Sequence, residues 1–211
     1  MYLPNAFAWT DQPSMLAFCR AHSFATLTCA NAGNSEAQHI PLLIDDNPEG
    51  VVLYGHVAAA NPLAQAEQVL AIFHGPHAYI SAAWYGEADT VPTWNYLAVH
   101  ASGPLRVISD ARLIRNLFAR LAEVDPQRQD WQASLSPTVE ARLSAAVHWF
   151  RVSVISLTGK AKLSQNHTPG RRQRVIDRLR SSPHANDQEI ANAMARVLSG
   201  NTPWPADGAQ T

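Results

Sequence analysis

VPTWNYLAVHASG, residues 91–103, is the stretch on which the reading of the fold turns. Strand side chains alternate between faces, so Leu97, Val99 and Ala101 point to one side while Trp94, Tyr96, Ala98 and His100 point to the other. The first set is ordinary core. The second is aromatic and hydrogen-bonding at once, and such a face needs a cover, either more protein or a ligand.

Outward from that strand, turn chemistry separates further β-rich runs. Upstream lie HSFATLTCA (22–30), EAQHIPLLI (36–44) and GVVLYGHV (50–57), parted by NAGN and DDNPEG. A short helix over 61–68 leads to VLAIFHG (69–75), and AYIS (78–81) follows a Gly-Pro-His break. Near the start, Asp11 is placed to cap a helix through Met15, Leu16 and Cys19, with Pro13 in its first turn. Downstream, Leu113, Ile114, Leu117, Phe118 and Leu121 recur at helical spacing within 110–124. A second helical piece near 138–146 precedes VHWFRVSVISLTGKAKLS (147–164), which is apolar on both faces as expected of a strand buried on both sides. From Pro169 the pattern turns helical twice, in GRRQRVIDRLR and DQEIANAMARVLSG, joined by SSPHAN. The expected organisation is a β domain over 1–168, a helical appendage packed on it over 169–199, and a loose tail over 200–211. The expected class is mainly β and antiparallel, a small barrel with peripheral helices.

A chain of 211 residues can bury a genuine core. A formal net charge of -1 gives no general attraction to nucleic acid or anionic membrane. The first residues lack a basic and apolar leader, and no apolar run reaches membrane-spanning length, which points to a cytoplasmic protein. Cys19 and Cys29 have no paired spacing and read as buried, reduced thiols. GxGxxG, GxxxxGK[ST] and GxSxG are all missing, which removes nucleotide hydrolysis and α/β-hydrolase chemistry. Of the nine histidines, His74 and His77 lie three apart, but no further ligands stand at metal-binding spacing.

Two basic segments carry alternatives. The only lysines, Lys160 and Lys162, sit two apart on one strand face with Ser164 following, either as a phosphate receptor or as a solvated strand end. Arg171, Arg172, Arg174, Arg178 and Arg180 share a helix with Val175, Ile176 and Leu179, and read either as a DNA-contacting patch or as a solvent-facing amphipathic helix. A helix-turn-helix is disfavoured by the acidic second helix and the six-residue connection. The aromatic face has further company in Tyr79, Ser81, Trp84 and Tyr85, with Thr93 and Asn95 as polar members. A second subunit together with a planar polar ligand would cover it.

MYLPNAF at the N-terminus, HIP at 39–41, LYGHVAAANP at 53–62, FHGPHAYIS at 73–81, VPTWNYLAVHASG at 91–103 and GKAKLSQN at 159–166 together resemble the PaiB-type proteins, the FMN-binding split-barrel group known as negative transcriptional regulators. The resemblance runs from residue 1 to about 198. It implies a Greek-key-like split β-barrel that forms a homodimer with FMN at the interface, and His56, Asn61, Trp94, Asn95, Lys162, Ser164 and Gln165 as the cofactor-binding residues. Where the family commonly has an arginine in GHxARANP this chain has Ala59, which removes a bidentate phosphate donor. The alternative is a flavin- or haem-dependent oxidoreductase of the same superfamily, with His100 or His148 as haem ligand. A third is a repressor that contacts DNA through Arg171, Arg172 and Arg174. No residue is named as catalytic.

Overall fold

A computed structural model describes residues 1–31, 34–122 and 135–207. The middle of the NAGN turn, the end of the helix expected over 110–124 and the last four residues of the tail lie outside them. The strands are β1 (Ala8–Trp9), β2 (Phe24–Asn31), β3 (Asn34–Pro41), β4 (Leu43–Asn47), β5 (Gly50–Ala58), β6 (Gln68–Ile80), β7 (Thr93–Val107), β8 (Val147–Ser153) and β9 (Ser156–Lys162). The helices are α1 (Gln12–Ala21), α2 (Ala111–Ala122), α3 (Pro137–Ala145), α4 (Pro169–Arg180) and α5 (Ala185–Leu198). The strands run as hydrogen-bonded neighbours in the order β3-β2-β6-β7-β8-β5-β4, with β9 also pairing β7 and β1 pairing β9. The antiparallel, mainly β class read from the sequence holds, and the neighbour pairs β2/β6 and β5/β8 are the long-range returns of a Greek-key-like arrangement.

The chain divides into two compact units. The first gathers residues 1–22, 72–100 and 157 onward, and the second residues 23–71 and 101–156. In the first, Phe18, Phe73, Tyr85 and Leu97 are fully buried, and in the second Leu27, Leu53, Leu117 and Phe150 are. Asp11 caps α1 as expected, its carboxylate accepting from Ser14 N at 2.8 Å. Both cysteines are unpaired and buried, and burial pushes the Cys19 thiol up to about 12. No helix among the described residues is long and apolar enough to cross a membrane.

Several expected boundaries move, each for a local reason. EAQHIPLLI is two strands: Pro41 has no N–H with which to continue a ladder, and the next amide, Leu42 N, donates instead to Ser23 O at 2.9 Å. VLAIFHG and AYIS are one strand. Its outward positions change from Ile72 and His74 to His77 and Tyr79 across Gly75-Pro76, the slip of one residue that a bulge produces. A Cβ on Gly75 would lie 2.3 Å from the Phe18 ring, so only glycine allows that approach. The run 147–164 breaks after Ser153, where Val154 N donates to Val51 O and Ile155 N to Ser102 O, both at 2.9 Å. Residues 61–68 make only a 3-10 turn over Pro62–Gln65. Residues 200–204 are not loose, since Trp204 is buried, its carbonyl accepts from Ser14 Oγ at 2.6 Å and its ring meets Phe18 edge-on at 5.3 Å.

Candidate functional site

The alternation along β7 is kept, and it separates the members of the expected site. Asn95, Leu97 and Val99 are fully buried, whereas Trp94 remains 51% exposed and Tyr96 and His100 are partly so. On β6, Tyr79 is 49% exposed, and both its ring and that of His77 stand 5.9 Å from the Trp94 indole. The second face of β7 is therefore an outward aromatic surface of the first unit. Asn95, grouped with that surface in the sequence reading, lies on the opposite, core side.

Lys162 borders the surface. Its Nζ donates to Thr93 Oγ1 and, at 3.0 Å, to Trp94 O. An ammonium has three N–H donors, so two anchor the side chain and, among the described residues, one is left over. Lys160 lies on the same side but is committed: it is buried, donates to Tyr2 O at 3.1 Å, and sits 5.8 Å from the Tyr2 ring and 5.7 Å from the Tyr96 ring. Burial, and then the neighbouring Lys160 charge, hold the Lys162 pKa below its ordinary value. Residues 72–80, 93–100 and 157–162 contain no acidic residue, while they contribute His74, His77, His100 and both lysines. The surface is thus aromatic and cationic, with no carboxylate from its own strands. Burial, the N-terminal charge and His74 keep the His100 pKa low.

Ser164 does not follow the lysines on the strand face, as two-residue spacing suggested. β9 ends at Lys162, and Ser164 adopts φ 62°, a left-handed conformation uncommon outside glycine, which turns its hydroxyl inward. There Asn95 Nδ2 donates to Ser164 Oγ at 3.1 Å and to Met194 Sδ at 3.4 Å, and Tyr85 Oη is 3.4 Å from the same hydroxyl. Gln165 Oε1 accepts from Leu163 N at 2.7 Å and its Nε2 donates to Ala161 O at 2.6 Å, closing the turn over the strand end. Asn95, Ser164 and Gln165 therefore position the segment that carries Lys162, while Trp94 and Lys162 face outward. Thr93, Tyr85 and Met194 complete this arrangement. Thr93 stood inside a quoted motif and Tyr85 was named with the aromatic face, but nothing in the spacing marked Met194, 99 positions from Asn95 in the chain.

His56 and Asn61 belong to the second unit. The His56 ring is half-buried, 4.8 Å from Trp149 and 6.4 Å from Phe118, and burial lowers its pKa, favouring the neutral imidazole. Asn61 Oδ1 accepts from Leu63 N at 3.0 Å, capping the turn that follows. Ala59 is exposed and its N–H bonds Ala146 O at 2.8 Å. His148 is exposed, and among the described residues no group of three His, Cys, Asp or Glu side chains could hold a metal ion.

The arginine helix α4 is less free than its sequence suggests. Arg171 and Arg174 both pair with Glu87, the second at 2.6 Å, and Arg174 Nε donates to Tyr85 O at 2.7 Å. Glu87 is held below its usual pKa chiefly by its hydrogen bond from Arg171. Arg172 is buried. The connection to α5 is Ser181–His184, four residues rather than six, so its length no longer argues against a helix-turn-helix. The acidic Asp187 in the first turn of α5 still does.

Comparison with known proteins bears on the family and the fold. Residues 1–156 match the family described as "Putative FMN-binding domain". The chain is 31% identical over 205 residues to "Protease synthase and sporulation protein PAI 2" of Bacillus subtilis (strain 168), covering 94% of this chain and 98% of that one. Among solved structures it resembles the flavocytochrome Anf3 from Azotobacter vinelandii (TM-score 0.58, 18% identity, 74% of this chain and 69% of that one). It also resembles the FAD and heme binding protein from Mycobacterium smegmatis (TM-score 0.52, 17% identity, 71% and 69%). At these identities the structures bear on the fold, which is the split barrel. The family match includes His56, Asn61, Trp94 and Asn95 and stops short of Lys162, Ser164 and Gln165, whereas the Bacillus relative spans nearly the whole chain.

Proposed function

Because this chain belongs to the FMN-binding split-barrel family, with a PaiB-type relative along nearly its whole length, we propose that it is a PaiB-like flavoprotein that holds FMN on the outward face of the first unit. One observation carries the reading: Trp94 and Tyr79, each about half exposed, stand beside an anchored lysine with a donor to spare among the described residues, on strands that carry no carboxylate of their own. Exposed indole and phenol rings suit a planar aromatic ligand, and the cationic border suits a phosphate. When bound, FMN supplies a ring that accepts and returns electrons. The chain's own residues orient it: Trp94 and Tyr79 offer stacking surface, Lys162 a charge, and Asn95, Ser164 and Gln165 the rigidity behind them. His56 and Asn61 enter on the family resemblance, and His56→Ala or Asn61→Ala is expected to reduce FMN retention. Ala59 in place of arginine points to weaker retention than in relatives that keep the guanidinium.

In this reading the protein is a cytoplasmic homodimer, since association would cover the aromatic rings that the single chain leaves exposed. Its regulatory role is that of a PaiB-type negative regulator, exercised by the flavin-loaded protein. DNA contact by Arg171, Arg172 and Arg174 has little support, with two of the three tied to Glu87 and one buried. The test is to add excess FMN to the purified protein, remove unbound ligand by gel filtration and record the absorption spectrum. About one flavin per chain, lost in Trp94→Ala, is the expected outcome. A colourless protein overturns the reading, and a Soret band would transfer it to haem, with His100 and His148 as the ligands to substitute. Reduction of the retained flavin by NADH or NADPH would identify an oxidoreductase.

A further inference from the structure

The arginines at the start of α4 do not share one fate. Arg171 and Arg174 divide the single carboxylate of Glu87. Arg172 is only 9% exposed, on the buried stripe that continues with Val175, Ile176 and Leu179. Its Nε and Nη2 are both buried and, among the described residues, without a hydrogen-bond partner. These nitrogens lie on one edge of the guanidinium and aim two parallel N–H groups in the same direction, the fork that accepts a carboxylate or phosphate through two oxygens. Burial shifts the Arg172 pKa downward. A buried guanidinium in that condition is costly unless an anion meets it.

The position in the helix adds to the same demand. Arg172 follows the N-cap Thr168 by one turn, and α4 has no acidic residue in its first turn. Arg171 and Arg172 both stand at the positive end of the helix dipole, where an anion is favoured and a cation is not, and Glu87 already serves Arg171. Arg172 lies in the first turn of α4, so its side chain starts beside the N-cap Thr168. We propose that Arg172 is the receptor for an oxyanion, a carboxylate or phosphate that presents two oxygens to its Nε–Nη2 edge at the N-terminal end of α4. The anion is either a small free one or the phosphate of a bound nucleotide-like ligand, and the two sources are separable.

The test is thermal unfolding of the full chain in chloride buffer, with inorganic phosphate or acetate substituted at constant pH and ionic strength, for the wild type, Arg172→Lys and Arg172→Met. The wild-type midpoint is expected to rise by about 3–6 °C once the anion is in tenfold excess over its dissociation constant. Arg172→Met should unfold in chloride at or above the wild-type temperature, because an unpaired buried charge has gone, and should lose the anion response. Arg172→Lys keeps a charge without the fork and should keep a smaller response. Retention of FMN and of riboflavin then identifies the source. If Arg172→Met weakens FMN alone, the anion is the flavin phosphate, and if it weakens neither, the anion is a separate small one. The phosphate and acetate arms need no flavin, so the proposal can fail or stand independently of the cofactor reading. A wild-type midpoint moved by neither anion, or a response that survives Arg172→Met, overturns it.

Discussion

Two tryptophans beside histidines meet opposite ends in this protein. Trp149, in the second unit, is 3% exposed, with His56 at 4.8 Å and the Phe118 ring edge-on at 4.9 Å. Trp94, in the first, has His77 and Tyr79 at 5.9 Å and keeps half its surface in water. The residue types are nearly the same. What differs is cover: α2 lays Phe118 on the first cluster and is fastened by a bidentate pair from Arg120 to Asp45, at 2.6 and 3.1 Å. Aromatic and imidazole rings mark a stacking surface, and only the element above them decides whether it is core or a place for a ligand.

The largest test of that contrast is truncation of each indole. Trp149→Ala is expected to cost about 3–5 kcal/mol in denaturant unfolding, and Trp94→Ala no more than about 1 kcal/mol, with the latter losing flavin instead. Equal stability losses would break the comparison. Next in size, Lys162→Met should weaken FMN by roughly tenfold to a hundredfold, as for a lost hydrogen bond to a charged group, in a fluorescence titration that also becomes less salt-dependent.

A smaller effect concerns pH. Burial lowers the His56 pKa, so the folded state resists a proton that the unfolded chain takes up at its ordinary value of 6.5. The stability linked to this group is present above that value and is lost as the pH falls below it. His56→Gln should flatten the decline of the unfolding midpoint between about pH 7 and pH 5. Smallest of all, Arg120→Ala should cost no more than about 1 kcal/mol, because the ion pair that fastens α2 is partly exposed and screened.

Much of the site was legible where local rules apply. Alternation alone placed Trp94 and Tyr96 opposite Leu97 and Val99, and the Asp11 cap followed from residue type and position. Lys160 and Lys162 fell on one side because β9 is regular as far as Lys162. The same rule failed at Ser164, where the strand had ended and the backbone turned left-handed. Strand boundaries were misread at Gly75-Pro76, where a one-residue slip is absorbed within one continuous strand, and at Pro41, where a missing N–H ended one pairing and let another begin.

By itself the sequence determined the antiparallel β class, the pattern of inward and outward side chains within each strand, the absence of the common nucleotide and hydrolase motifs, and a set of family motifs spread along the chain. All of these depend on neighbours within a few residues, where steric and hydrogen-bonding rules are local. Only the tertiary structure decided that Lys160 is spent on Tyr2 while Lys162 keeps a donor free among the described residues, that Asn95 turns to the core behind the aromatic face, that Trp149 is covered and Trp94 is not, and that Arg172 is buried with its Nε and Nη2 unpartnered among the described residues. Each depends on which distant segment arrives at a given surface, and an individual side chain's chemistry does not encode its cover.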